Sequence, residues 1–324
     1  LIKNRSIFDN LTSMKAYKVA IVQASPVIFD LEATLHKVAE WANNCARQGA
    51  RLILFPEAFV SAYPRGLSFG TVVGSRTPEG RELWQRYWNS SVAEGDPACQ
   101  RLARIAKEAR AYLAIGVNEK DTTSGTLYCS MFYFSPAGKF LGKHRKIKPT
   151  GQERVIWGED DGSTLTTLDT PLGKIGGLIC WENYMPLARM AMYQKGVQLY
   201  LAPTADARDS WQHTMRHIAL EGRCYVLAGN QYVIKSNYPE DLQATDEMKK
   251  QPDSLCRGGS VIVGPLGELI AGPLWDKEGI LTAEINLGRV TEAKLDFDPI
   301  GHYHRPDLFN LSVRNQPETI KVDE

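Results

Sequence analysis

The 324-residue chain has almost no net charge, with 38 lysines and arginines against 37 acidic side chains. That balance leaves no electrostatic footprint for nucleic acid or for an anionic membrane, so small-molecule chemistry or protein contacts remain. Long apolar runs are missing too. No stretch approaches the roughly 18 residues of a membrane span, and the start lacks the apolar core of a secretory leader. A soluble, cytoplasmic protein is the expectation. The cysteines at 45, 99, 129, 180, 224 and 256 never form a Cys-x-x-Cys pair, and nothing resembles a closed zinc site. A chain this long does not need disulfides, which fits a reduced protein. Tandem repeats and low-complexity linkers are absent, and one domain is therefore expected over residues 14–312. Residues 1–13 carry no periodic pattern and read as a disordered arm or foreign sequence ahead of a natural start at Met14, and residues 313–324 read as a C-terminal tail.

Strand and helix patterns alternate through what is present. An apolar run at 18–23, helical spacing across 31–49 and a second run at 52–55 suggest a right-handed crossover with parallel strands. Residues 61–96 mix turn residues with Tyr63, Phe69, Trp84, Tyr87 and Trp88, as expected of a loop and short helix packed over a pocket or a subunit contact. A helix at 97–110 and a strand at 112–117 follow. Three strand, turn, strand patterns then appear, at 127–146, 163–180 and 260–271. Antiparallel hairpins among crossover units imply mixed sheets, with too many strands for one doubly wound sheet. Helices are expected at 186–196, 210–222 and 289–295, and strands at 197–202, 224–233 and 280–285. Residues 234–258 are polar and aperiodic, a surface excursion that is mobile or used in assembly.

Residues 176–186 organise the rest. Their apolar run stops at Cys180, which places the thiol at the rim of a sheet with the Trp181 amide aimed at whatever the thiol attacks. A lone cysteine more often packs as a small hydrophobe. Two other groups emerge at strand ends, Glu57 after 52–55 and Lys146 after 140–146, and Glu153 follows in the same loop as the lysine. A solvated carboxylate and a solvated basic cluster are the bland alternatives for these. A thiol, though, needs a base, and no histidine sits at a matching strand end. A carboxylate in a water-poor site would serve, and a lysine held by a carboxylate would stabilise the anionic intermediate. Such a set suits attack on a carbon bonded to nitrogen. His213 and His217 have metal-ligand spacing, but the zinc-helix glutamate is missing and Arg216 and Arg223 would repel a cation, so no metal is expected.

Phe55-Pro56-Glu57, His144-Arg145-Lys146-Ile147-Lys148-Pro149-Thr150 and Cys180-Trp181-Glu182-Asn183 resemble signatures of the nitrilase family, within the carbon-nitrogen hydrolase superfamily. Thr204-Ala205-Asp206, 217–221 and Gly301-His302-Tyr303 add to the resemblance, which runs in order from about Tyr17 to Leu311. It implies an α/β fold, a four-layer-forming α-β-β-α sandwich of two mixed sheets. It also implies a triad of Glu57 as general base and acid, Lys146 as stabiliser and Cys180 as nucleophile, with Glu153 as an additional glutamate beside the lysine. The implied reaction turns a small-molecule nitrile into acid and ammonia through a thioimidate and an acyl-enzyme, with no cofactor. An amidase, carbamoylase or cyanide-degrading enzyme would use the same triad, and a catalytically silent assembly protein would have lost one member. The family pairs subunits into homodimers, and microbial members often build spiral filaments. Trp181, Tyr63, Thr204 and Trp211 are the expected pocket residues.

Overall fold

Period-two alternation builds the core. Val19 and Ile21 of one strand pack on one side of their sheet and Ala20 and Val22 on the other, and Leu52 and Leu54 alternate with Ile53 and Phe55 in the same way. A strand apolar on both faces must be covered on both faces, which forces layers on either side of each sheet. The computed structural model describes residues 16–315 and 317–322. The arm expected at 1–13 lies outside the described residues.

The first sheet has six strands in the spatial order Gly279–Ile285, Tyr17–Gln23, Ala50–Leu54, Tyr112–Lys120, Leu127–Phe134 and Phe140–Arg145. Its Tyr17–Gln23, Ala50–Leu54 and Tyr112–Lys120 strands are parallel and the others antiparallel to their neighbours. The second sheet runs Tyr232–Ile234, Ser254–Val263, Tyr225–Ala228, Leu199–Leu201, Gly173–Gly177, Thr167–Thr170 and Ile320–Lys321, and Leu269–Trp275 also pairs with Ser254–Val263. Val19, Leu54 and Met131 from the first sheet meet Ile175, Leu201 and Leu227 from the second in a shared core. Helices Leu31–Arg47 and Pro97–Ala109 cover the outer face of the first sheet, and Pro186–Gln194 and Asp209–Gly222 that of the second. The result is the α-β-β-α sandwich of two mixed sheets.

Several local expectations need correction. Cys180 does not end a strand, because pairing stops at Gly177 and the cysteine opens a 3-10 turn, Cys180–Tyr184. The strand expected at 224–233 is interrupted between Tyr225–Ala228 and Tyr232–Ile234, where Asn230 donates its side chain to the carbonyls of Asp206 and Gly258 instead. The excursion at 234–258 is not without regular structure. Leu242 and Met248 bury their side chains from two short helices, and residues from Ser254 onward are already strand. The segment read as a tail contributes Ile320–Lys321, parallel to Thr167–Thr170.

Candidate active site

Three loops leaving strands of both sheets converge on one cavity. Glu57 follows Ala50–Leu54, and its loop can lie against the next strand because position 116 is glycine: a Cβ there would stand 2.1 Å from the Pro56 carbonyl oxygen. Lys146 follows Phe140–Arg145 directly. Cys180 has φ of 51°, a left-handed conformation that strains a residue with a side chain. Its backbone is held there from two sides, the amide donating to Pro203 O at 2.8 Å and the carbonyl accepting from Asn183 Nδ2 at 2.8 Å. Asn183 is fixed in turn by Tyr200, whose hydroxyl donates to Asn183 Oδ1 at 2.9 Å. The strain therefore sits where the sequence supplies buried hydrogen bonds to maintain it.

Lys146 Nζ donates to Glu57 Oε1 and to Glu153 Oε2, both at 2.7 Å. All three side chains are buried. Glu153 is anchored by the Tyr63 hydroxyl at 2.8 Å and the Thr150 amide at 2.7 Å, and Gln231 Nε2 donates to the Glu57 carbonyl at 2.7 Å. Glu57 Oε1 also accepts the Cys129 thiol at 3.5 Å, whereas Oε2 has no hydrogen-bond partner of ordinary geometry among the described residues. Burial raises the Glu57 carboxyl above the usual carboxylate range, with Lys146 opposing. Burial alone would discharge Lys146, but the Glu57 carboxylate, and Glu153 with it, outweighs this and holds the ammonium.

The Cys180 thiol accepts a hydrogen bond from Thr204 Oγ1 at 3.2 Å. Burial and the Glu57 charge push its pKa well up, and Lys146 offsets this only in part. The resting group is a thiol, so attack requires a base at hand. Glu57 is the carboxyl whose charge acts most strongly on the thiol, which makes it the candidate base. A base with a raised pKa, a thiol and a fixed ammonium in one buried site can carry out nucleophilic addition with proton transfer.

The cavity has a volume of about 420 Å³, a size suited to a small organic molecule. Cys180 and Glu153 reach its wall, together with Tyr63, Trp181, Arg65 and Arg257 among others. Thr204 lies directly behind, on the thiol. Trp211 does not belong to this group. It is 1% exposed, packs in the core under the outer helices and meets the Tyr184 ring edge-on, and it does not reach the cavity wall. Among the described residues no group of three His, Cys, Asp or Glu side chains is arranged to hold a metal.

A second buried cluster joins the lysine and cysteine loops. Glu182 accepts His144 Nε2 at 2.9 Å, the Ile147 amide at 2.5 Å and the Ile179 amide at 2.6 Å. His144 Nδ1 faces the Thr164 carbonyl at 3.2 Å. Both ring nitrogens thus meet acceptors, which requires the imidazolium. Burial works against that charge, and the Glu182 carboxylate outweighs it to raise the pKa.

A model of the family described as carbon-nitrogen hydrolase matches residues 18–295. The chain belongs to the carbon-nitrogen hydrolase family. This carbon-nitrogen hydrolase is 50% identical over 312 residues to an aliphatic nitrilase of Sinorhizobium fredii, covering 95% of this chain and 99% of that one. It is 47% identical over 312 residues to a bifunctional nitrilase/nitrile hydratase of Nicotiana tabacum, covering 95% and 88%. Among solved structures it resembles Saccharomyces cerevisiae Nit3, with a TM-score of 0.70 at 22% identity over 90% of this chain and 97% of that one, a likeness of fold.

Sequence reasoning missed several neighbours of the site in this carbon-nitrogen hydrolase. Arg65 lay in an irregular aromatic stretch, and Ser254 to Arg257 in a polar stretch without period, so neither carried a positional signal. Cys129 and Gln231 sit in ordinary strand and loop contexts and are placed by pairing alone. The Asp206 and Arg208 pair was within reach: Asp206 accepts Trp181 Nε1 at 2.9 Å, and Arg208 lies 4.8 Å over the Trp181 ring.

Proposed function

We propose that this chain hydrolyses an organic nitrile to the carboxylic acid and ammonia, with Cys180 as nucleophile, Glu57 as general base and acid, and Lys146 as the fixed cation. The observation that carries this reading is Lys146 held at 2.7 Å from both Glu57 and Glu153 beside a buried thiol at the wall of a cavity. Glu57 takes the Cys180 proton as Sγ bonds to the nitrile carbon, and the proton passes to the nitrile nitrogen to give a thioimidate. Lys146 and the Trp181 amide, in the first turn of the 3-10 helix where amides lack helical partners, stabilise the developing negative charge. Water activated by Glu57 adds to the thioimidate carbon. Protonation of nitrogen and cleavage of the C–N bond release ammonia and leave an acyl-enzyme. A second water breaks the C–S bond, which frees the acid and restores the thiol. Glu153 holds Lys146 in register, and Tyr63 holds Glu153 at the cavity wall.

A second product has specific support. If the first tetrahedral intermediate breaks its C–S bond instead, an amide leaves, and the tobacco relative is named for both outcomes. An amidase, a carbamoylase or a cyanide-degrading enzyme would use the same groups. An ammonia-release screen over phenylacetonitrile, benzonitrile, an aliphatic dinitrile, cyanide and the matching amides, with product analysis, tests the reading. Ammonia and acid from at least one nitrile, with slower turnover of its amide, is the expected result. Release from amides alone would replace it, and no release from any would favour a non-catalytic assembly protein.

The assembly is a homodimer or a larger, filament-forming oligomer in this proposal. Exposed Leu295, Tyr303, Leu308 and Phe309 near the chain's end support it. Light scattering behind size exclusion reads it, and a monomer at micromolar concentration refutes it. No helix among the described residues is long and apolar enough to cross a membrane; residence in the cytoplasm is proposed, with cell fractionation as the check.

A further inference from the structure

The charged side chains on the cavity wall are neutralised, with one exception. Glu153 pairs with Lys146, and Arg208 Nε donates to Asp206 Oδ1 at 2.8 Å. Arg257 has Asp276 at 3.4 Å and Asp209 at 3.9 Å. Arg65 has no carboxylate partner among the described residues. Its guanidinium donates to the Ala205 carbonyl, lies 5.1 Å over the Tyr63 ring and borders Cys256, with the Cys180 thiol near enough to act on its charge. The backbone that carries it is clamped, because the Tyr238 hydroxyl donates to the Arg65 carbonyl at 2.9 Å and the Arg65 amide donates to Tyr63 O at 2.8 Å. A guanidinium has five N–H donors and stays charged at any working pH. Here its polar partners are one carbonyl and the Cys256 thiol, neither of them a carboxylate. A half-buried cation without a counter-charge costs free energy that an anionic ligand would recover.

We propose that Arg65 binds a carboxylate carried by the substrate, so that the preferred nitriles are cyano-carboxylic acids. The acid group sits on Arg65 while the nitrile carbon meets Cys180 in the same cavity. This rests on the nitrile-hydrolase reading above. The competing role is purely structural, with Arg65 tying the 205–208 segment to the Tyr63 loop through the Ala205 carbonyl.

The test compares 4-cyanobutanoate with its methyl ester, a neutral molecule of nearly the same length, by ammonia release from the full chain. A charge-assisted bidentate contact predicts that wild type favours the acid in kcat/KM by about tenfold to a hundredfold. Arg65→Met lowers kcat/KM for the acid by at least about tenfold more than for the ester, chiefly through KM, and Arg65→Lys keeps part of the preference because the charge remains. A wild-type ratio near or below one overturns the proposal, and this needs no variant to fold. Equal losses on acid and ester in Arg65→Met also overturn it, in favour of the structural role. Turnover of the ester with no preference for the acid sinks Arg65 alone, whereas no ammonia from either compound sinks the nitrile reading with it.

Discussion

Glu182→Gln removes one charge and changes one atom, and its effect follows from three hydrogen bonds. Oε1 accepts the Ile147 amide, and Oε2 accepts both His144 and the Ile179 amide. A glutamine keeps one acceptor. Turned toward His144 and Ile179, it presents an NH₂ to the Ile147 amide, and a buried donor facing a donor costs about 1–3 kcal/mol. The His144 imidazolium also loses its counter-charge inside a fully buried site, and breaking a buried pair on one side costs about 3–5 kcal/mol. Because the ring then sheds its proton, the two costs overlap, and a total of about 3–5 kcal/mol is expected. Urea unfolding followed by circular dichroism measures this. The pair also has a pH signature. His144 has a raised pKa in the fold, so its contribution is complete below the unfolded histidine pKa and disappears as pH rises through the folded value. Glu182→Gln flattens that part of the stability profile. Since Glu182 ties the lysine loop of one sheet to the cysteine loop of the other, kcat falls by about a hundredfold in the folded variant, as misplacement of reacting groups by about 1 Å would give. A variant within about 1 kcal/mol of wild type, with the same pH profile and kcat, refutes the reasoning.

Other consequences are read with simple assays. Iodoacetamide labels Cys180 ahead of the other five cysteines, which are all buried, with Cys256 the only other one on the cavity wall; Glu57→Gln slows the labelling because the protonated thiol has lost its base. Peptide mass mapping follows this, and fast labelling in the variant would remove Glu57 from the base role. Lys146→Met leaves the buried Glu57 and Glu153 without their shared cation, so one of them takes up a proton and ammonia release drops by at least about a hundredfold, measured at saturating nitrile. Gly116→Ala pushes a Cβ into the Pro56 carbonyl and costs about 3 kcal/mol or more in urea unfolding; a change under about 1 kcal/mol would show that the Glu57 loop yields.

How much of this was legible before the structure depends on what each residue answers to. Alternation within strands and spacing within helices reflect local burial, so Val19, Ile21, Leu35 and Val38 announced the layers. Glu57 and Cys180 were visible because each closely follows an apolar run, and Lys146 because it ends a strand pattern ahead of Pro149. The turn at Cys180 was displaced by three residues because pairing ends at Gly177, where a Cβ would strike the Leu201 carbonyl at 1.9 Å, a contact between strands that no local pattern encodes. Trp211 was misplaced for a related reason: its helix buries it from the far side of the sheet, and helical spacing does not say which neighbour fills the gap above. Arg65, and the part played by Glu182, were opaque because they depend on partners more than thirty residues away, or on the lack of one.

The central claim is that carbon from the substrate becomes bonded to Cys180. Acid quench of the enzyme while it turns over a nitrile, followed by peptide mass mapping, tests it most directly. The predicted result is an added acyl or thioimidate mass on the peptide containing Cys180, absent from Cys180→Ala, which stays folded and releases no ammonia. An adduct on another side chain, or ammonia release by Cys180→Ala at the wild-type rate, would contradict the account.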